Sequence, residues 1–196
     1  MNDRALGLIV GLGNPGAQYA RTRHNVGFWL VESLAQMYSS GFSAETKFKA
    51  QVCRIDVGGN LLWLLKPETF MNDSGPSVAG YAAYYKIAPR ETLVVHDDLG
   101  LGCGTVRLKQ GGGHGGHNGL RDIASHFGVG FGRLRIGVGH PGSGRDVARY
   151  VLNAPPVDER ELIEEALRRV LERIEIVVGG NFEAAATALD SCIPVK

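Results

Sequence analysis

The sequence predicts an α/β fold: a single domain over residues 1–196, with a twisted, mixed and mostly parallel central sheet flanked by helices on both faces. Short apolar runs alternate along the chain with longer segments whose apolar residues recur every three or four positions, which is typical of alternating strands and helices. One pair of strand-like runs is joined by Gly58-Gly59-Asn60, which predicts an antiparallel hairpin within the sheet. The chain is long enough for one domain with a sizeable core.

The strands are predicted from short runs of Leu, Ile and Val that end at glycine, proline or polar residues. They are Leu6–Val10, Phe48–Val57, Leu61–Lys66, Thr92–Val95, Cys103–Lys109 and Arg133–Val138. The helices are predicted from apolar periodicity, with Asn25 and Ser74 as N-caps of the first two. They cover residues 26–37, 75–88, 118–127, 146–152, 158–178 and 182–190.

The composition is that of an ordinary soluble globule, with 44% hydrophobic and 21% charged residues. The longest apolar runs, Leu6–Val10 and Leu61–Leu65, are far too short to span a bilayer, and no signal-peptide pattern is found. Three scattered cysteines favour neither a disulfide framework nor a zinc cluster. We therefore expect a cytoplasmic protein that does not associate with membranes.

The formal net charge is only +1, but its distribution is uneven. Between residues 99 and 151, seven arginines and lysines face only two acidic residues, whereas residues 158–190 carry nine acidic residues against four basic ones. A basic middle beside an acidic end indicates one face suited to an anion such as nucleic acid. Ordinary solvated surface charge is the alternative.

GLGNPG at 11–16 has the glycine spacing of the dinucleotide-binding fingerprint. That fingerprint requires a helix that opens directly from the glycines, so that its N-terminus meets a pyrophosphate. Here the residues that follow, AQYARTRHN, are polar and lack apolar periodicity, and the helical pattern begins only after Asn25. The spacing alone therefore does not predict dinucleotide binding.

Polar residues that follow the predicted strands are expected to meet in one crevice, beyond the carboxyl ends of the strands. His24 lies in a polar loop, where a histidine can act as a general base, and Asp97 follows the strand Thr92–Val95. A carboxylate there can hold one ring nitrogen so that the other remains an acceptor, and Asp98 is an equal alternative. Because no serine or cysteine lies in a nucleophile-elbow pattern, this pair indicates direct activation of water.

Residues 107–122, RLKQGGGHGGHNGLRD, are the most unusual stretch of the chain. Glycines this dense allow the backbone to turn tightly or to approach a ligand closely. His114 and His117 suggest a metal site, but nothing nearby supplies a third ligand at a familiar spacing. Asn118, like Asn14 and Asn72, lies in a loop where its amide can grip a substrate or stabilise an oxyanion.

Together these motifs resemble bacterial-type peptidyl-tRNA hydrolases. The resemblance rests on GLGNPGAQYARTRHNVG, KPETFMNDSG, VVHDDLGLGCGTVRLKQGGGHGGHNGLRDI and RIGVGHPG, which occur in the family's order over residues 6–155. It implies hydrolysis of the ester between a peptide and the terminal ribose of tRNA, with no metal or cofactor. The implied partner is peptidyl-tRNA, bound through its acceptor arm and its peptide, and a monomer is expected.

The resemblance also implies roles for individual positions. His24 matches the catalytic histidine, Asp97 its supporting aspartate, and Asn14 the asparagine that helps to recognise a blocked peptidyl group. The basic positions associated with tRNA phosphates fall on Lys109 and Arg135. The positions that contact peptide and tRNA fall on Tyr19, Phe70, Asn72 and Asn118. The loop around 141–157 is expected to cover the peptide cleft.

Two functions of other classes remain open on the residues alone. The glycine spacing of GLGNPG is compatible with a dinucleotide-dependent oxidoreductase. The basic segment is compatible with an RNA-binding module that has no catalytic activity.

Overall fold

A computed structural model describes residues 5–190, which form one seven-stranded sheet in the order β2-β3-β4-β1-β5-β7-β6. The four central strands are mutually parallel, because β1 pairs in parallel with both β4 and β5, and β5 with β7. The outer pairings, β2–β3, β3–β4 and β6–β7, are antiparallel. The strands are β1 Leu8–Gly11, β2 Ser43–Glu45, β3 Ala50–Val57, β4 Asn60–Pro67, β5 Thr92–Asp98, β6 Val106–Gln110 and β7 Gly132–Gly137.

Helices cover both faces of the sheet and enclose two buried apolar clusters. Side chains of α1, α5, α6 and α7 contribute to one cluster, and side chains of α2 and α3 to the other. The helices are α1 Val26–Met37, α2 Gly75–Tyr85, α3 Asn118–Phe127, α4 Val147–Val151, α5 Val157–Leu171, α6 Ile174–Val178 and α7 Phe182–Asp190. The predicted α/β architecture is confirmed. Within residues 5–190, no helix has both the length and the apolar character needed to cross a membrane.

The glycines of GLGNPG bring α1 close to the sheet. A Cβ on Gly27 would lie 2.4 Å from the backbone nitrogen of Leu12 and from the carbonyl oxygen of Val95. A Cβ on Gly11 would lie 2.4 Å from the carbonyl oxygen of Gly27, and one on Gly13 would overlap the ring of Phe28. Gly11 and Gly13 of this motif therefore allow close packing of α1 on the strand, whereas Gly16 has a φ of 107° in the loop that follows; α1 begins only at Val26.

Several predicted boundaries were wrong. The predicted helix 158–178 is interrupted at Glu172–Arg173, and the strand Ser43–Glu45 was missed. β5 continues through Asp98, so His96 and Asp97 lie in the strand and not beyond it.

Asn25 and Ser74 occupy the N-cap positions of α1 and α2, as predicted, but neither side chain caps its helix, because each has a different partner. Asn25 hydrogen bonds the backbone of Asn14, and Ser74 Oγ donates to the carbonyl of Met71. The N-terminal amide of α2, at Gly75, donates to Asp122.

Candidate active site

Asp97 lies near the carboxyl end of β5, a central strand, and its side chain is only 3% exposed. Its neighbour in space is His24, which lies in a short 3-10 turn, Arg23–Asn25, directly before α1. His24 Nδ1 donates a hydrogen bond to Asp97 Oδ1 at 2.8 Å. This contact places the proton of the neutral imidazole on Nδ1 and leaves a lone pair on Nε2.

His117 provides a second imidazole on the same carboxylate oxygen, with 3.0 Å between its Nε2 and Asp97 Oδ1. It is also the N-cap of α3, where its Nδ1 accepts a hydrogen bond from the backbone amide of Leu120 at 3.3 Å. Because Nδ1 accepts, the ring proton lies on Nε2, which donates to Asp97. One oxygen of Asp97 therefore fixes the orientation of both imidazoles.

The electrostatics of this cluster keep Asp97 ionised. Burial raises the pKa of its carboxyl, but the positive and hydrogen-bonding edges of His117 and His24 outweigh burial and hold that pKa well below its usual range. His96, on the same strand, is uncharged instead. Burial lowers its pKa to about 3, so this imidazole is neutral near pH 7. His96 Nδ1 donates to the backbone carbonyl of Asp97 at 2.7 Å.

Asn14 is held from two sides. The side chain of Asn25 accepts from the backbone amide of Asn14 and donates to its carbonyl, both at 2.9 Å. The side-chain oxygen of Asn14 accepts from the backbone amide of Met71 at 2.8 Å. With that oxygen engaged, the amide presents the Nδ2 hydrogens as donors.

These groups line a cleft of about 1280 Å³. The cleft includes all nine residues that the sequence predicted for the site: Asn14, Tyr19, His24, Phe70, Asn72, Asp97, Lys109, Asn118 and Arg135. Phe70 is 60% exposed and meets the ring of Tyr19 edge to face, with 6.4 Å between their centroids. The cleft therefore combines the half-buried Tyr19 and the exposed Phe70 with a carboxylate–imidazole cluster and several amides.

One end of the cleft is basic. Lys109 is exposed on the edge strand β6, and Arg135 Nε donates to Asp98 Oδ2 at 2.7 Å on the neighbouring strands. Burial raises the pKa of Asp98, but this contact with Arg135 outweighs it and lowers that pKa overall. Arg133, which is buried, donates to the carbonyls of Gly112 and Gly113 and so braces the glycine-rich loop.

Comparison with known proteins connects this arrangement with one enzyme family. Residues 8–193 match the family model described as peptidyl-tRNA hydrolase. The chain is 46% identical to a peptidyl-tRNA hydrolase of Neisseria gonorrhoeae over 94% of this chain and 96% of that protein. It is 47% identical to the enzyme of Acinetobacter baylyi, over 96% and 98% of the two chains.

This chain belongs to the peptidyl-tRNA hydrolase family. A crystal structure of the Acinetobacter baumannii member superimposes with a TM-score of 0.93 and 46% identity, covering 97% of each chain. The resemblance predicted from the sequence motifs is confirmed, and so is the class of enzyme, a hydrolase. The oxidoreductase and the non-catalytic RNA-binding module are not supported.

Within this peptidyl-tRNA hydrolase fold, the ligand atoms of His24, Asp97 and His117 lie within 4.8 Å of one another, a spacing that a metal ion can bridge. The hydrogen bonds do not fit that use. Nδ1 of His117 already accepts from Leu120, so the proton of its neutral ring is on Nε2, the atom that would have to bind the metal. The donor set fits a hydrogen-bonded triad.

Sequence reasoning overlooked two features of the site. The sequence suggested His117 as a candidate metal ligand, whereas in the structure its ring contacts both Asp97 and the ring of His24, with 4.9 Å between the imidazole centroids. Its position directly before the helix-opening Asn118 was the only available signal. The side chains of Arg23 and Asn25, which flank His24, are buried, and their partners are distant in sequence, so nothing local indicated them.

Proposed function

We propose that this chain hydrolyses the ester bond between the peptide and the tRNA of peptidyl-tRNA, with water activated directly by His24. The observation that carries the proposal is the 2.8 Å hydrogen bond from His24 Nδ1 to buried, ionised Asp97. It leaves Nε2 as a base at the cleft surface, and the negative carboxylate stabilises the imidazolium that forms when the base takes a proton.

In the proposed reaction, His24 Nε2 removes a proton from water as the oxygen attacks the ester carbonyl. The tetrahedral intermediate carries a negative oxygen, for which the Nδ2 hydrogens of Asn14 are suitable donors. When the intermediate collapses, the carbon–oxygen bond to the ribose breaks and the imidazolium returns the proton to the departing oxygen. The products are a peptide carboxylic acid, which loses its proton to solvent, and tRNA with its terminal hydroxyl restored, without a covalent enzyme intermediate.

The remaining predicted residues would hold the two parts of the substrate. Tyr19 and Phe70 offer aromatic surface to the peptide, and Asn72 and Asn118, both exposed in the cleft, offer amides to its backbone or to the terminal nucleotide. Lys109 and Arg135 would contact phosphates of the acceptor arm. We also expect the chain to act as a monomer.

The test is release of peptide from an N-blocked aminoacyl-tRNA, measured with EDTA present. We expect the wild-type protein to release the peptide and His24→Ala to lose that activity by at least about a hundredfold. His126→Ala is the matched control, since this exposed histidine lies on α3 outside the cleft. Substantial turnover by His24→Ala would contradict the proposal. So would loss of the wild-type activity when EDTA is added.

The absence of a covalent intermediate needs a separate measurement. The enzyme is mixed with a slowly hydrolysed substrate and quenched in acid during turnover, and the mass of the intact protein is measured by mass spectrometry. Direct attack by water predicts only the mass of the free protein. A population heavier by the mass of the acyl group would show that a side chain had acted as the nucleophile.

A further inference from the structure

Arg23, which directly precedes His24 in the 3-10 turn, is a buried cation with only 4% of its surface exposed. A buried guanidinium is costly unless hydrogen bonds and a negative partner compensate for its lost hydration. Its partners lie 127 to 136 residues away in sequence, in and after α4. The turn that carries the proposed base is therefore tied to a distant part of the chain.

The guanidinium gathers carbonyl groups at the carboxyl end of α4. Arg23 Nη1 lies 3.4, 3.2 and 3.3 Å from the carbonyl oxygens of Tyr150, Asn153 and Ala154. Tyr150 lies in the last turn of α4, where terminal carbonyls carry partial negative charge that a cation stabilises, and Asn153 and Ala154 follow the helix. The backbone amide of Arg23 also donates to Asn153 at 3.2 Å.

Two further contacts fix the plane of the guanidinium. Arg23 Nη2 donates to Glu159 Oε2 at 2.7 Å, at the start of α5. The guanidinium carbon stacks 4.0 Å from the centroid of the Tyr150 ring, and the hydroxyl of Tyr150 donates to the carbonyl of Val138 beyond β7. A lysine could not reproduce this set, because its ammonium has neither the planar fork nor the stacking surface.

The segment that Arg23 holds forms part of the cleft. Val147, Ala148, Val151 and Leu152 all line it, and Val147 and Leu152 are large apolar side chains that are about two-fifths exposed, at 41% and 40%. Exposed apolar side chains in the same cleft as Tyr19 and Phe70 suit the side chains of a peptide. The position of α4 therefore determines the shape of the apolar part of the cleft.

On the other side of His24, Asn25 ties the same turn to the backbone of Asn14. The proposed base His24 thus lies between two buried side chains. Asn25 bonds the loop that contains Asn14, and Arg23 bonds the segment that follows α4. We propose that Arg23 is a positioning residue, which sets the peptide-facing wall of α4 and the turn carrying His24 in one arrangement. This inference rests on the proposed function.

The test compares Arg23→Met, Arg23→Lys and Glu159→Gln with the wild type on an N-blocked aminoacyl-tRNA. For Arg23→Met we expect KM to rise about fivefold, because α4 is no longer held in one position along the cleft. We expect kcat to fall about tenfold, because His24 loses its orientation. Arg23→Lys should fall between, and it covers the case in which the methionine variant does not fold. Glu159→Gln retains an oxygen for Nη2 and all three carbonyl contacts but removes the negative partner, so it should lose thermal stability while kcat and KM stay within about twofold of the wild type.

Hydrogen exchange on the same variants separates positioning from simple support of the fold. We expect faster exchange in both 150–154 and 23–26, with the central strands unchanged. Loss of thermal stability with wild-type kcat and KM in the folded Arg23→Lys protein would overturn the inference. So would faster exchange confined to 150–154 with unchanged kcat. If the wild type itself releases no peptide, the proposed function fails, and the hydrogen exchange of 150–154 and 23–26 in Arg23→Lys then decides alone whether Arg23 holds the two segments together.

Discussion

Among individual residues, Asp97 has the widest effect, because its Oδ1 accepts hydrogen bonds from two histidines at once and its negative charge acts on both imidazoles. Since its pKa lies well below the usual range, Asp97 stays anionic wherever the enzyme is folded near neutral pH. In Asp97→Asn a neutral amide replaces the anion that stabilises a positive imidazole. We expect kcat/KM to fall about a hundredfold and the acid limb of its pH profile to move to lower pH.

The measurement is kcat/KM between about pH 5 and 9. Asp98→Asn is the matched control, because it removes a neighbouring carboxylate that bonds Arg135 and not His24. An acid limb at the same pH in Asp97→Asn and the wild type would contradict the role given to Asp97.

His117 combines two functions that substitution can separate. Asparagine is a good N-cap, so His117→Asn should preserve the start of α3 while losing the bond to Asp97. His117→Ala loses both, so it should be less stable than His117→Asn by about 1 kcal/mol in urea unfolding. Both variants should lose activity to a similar extent. Full activity in His117→Asn would show that His117 matters only as a cap.

At the scale of elements, the contact between α1 and the sheet depends on Gly27. A methyl group there would meet backbone atoms of Leu12 and Val95 at 2.4 Å, and backbone cannot move aside as a side chain can. We expect Gly27→Ala to lower the free energy of unfolding by about 1–3 kcal/mol and to reduce activity, because α1 follows directly from the His24 turn.

Gly41→Ala is the control for this prediction, since a Cβ on Gly41 would have open space around it. Urea unfolding and kcat/KM should be near wild type in that variant. Wild-type stability in Gly27→Ala would mean that α1 and the sheet can separate without cost.

Elements were predictable from the sequence where local pattern decides them. Buried strands such as β1 and β5 are continuous apolar runs, and these were found. β2, three residues with little buried surface, has no such pattern, since it is defined only by pairing with β3. The break after α5 was hidden because the apolar periodicity continues across it, through Val170 and Ile174.

The site followed the same division. His24, Asp97 and the three asparagines could be proposed because polar residues follow predicted strands and because the motifs resemble a family. The direction in which a side chain points could not be predicted, since Asn25 looks like a helix cap and bonds Asn14 instead. The contacts of Arg23 could not be predicted either, because its partners are more than 120 residues away in sequence.

At the scale of the whole molecule, the charge distribution predicts salt-dependent binding. Lys109 is exposed beside the cleft, so each phosphate contact it makes should release a counterion. We expect Lys109→Ala to weaken tRNA binding and to reduce the slope of log K against log salt by about 0.7–0.9. Hydrolysis at saturating substrate should change little.

Arg168→Gln provides the comparison, because this exposed arginine lies on the acidic α5 and pairs with Glu165. Titration of tRNA against each variant over a range of salt concentrations gives the slopes. Equal slopes for Lys109→Ala and the wild type would remove Lys109 from the phosphate-binding surface.

The shared acceptor at Asp97 also makes the resting enzyme observable by spectroscopy. Two imidazole N–H protons donate to one carboxylate oxygen that is almost sealed from solvent, so both should exchange slowly and resonate far downfield in proton NMR spectra. Selective 15N labelling of histidine would assign them to His24 and His117. Titrating an unreactive peptide–nucleotide conjugate while following these two signals would report, without turnover, whether substrate binding changes the surroundings of His24 and His117.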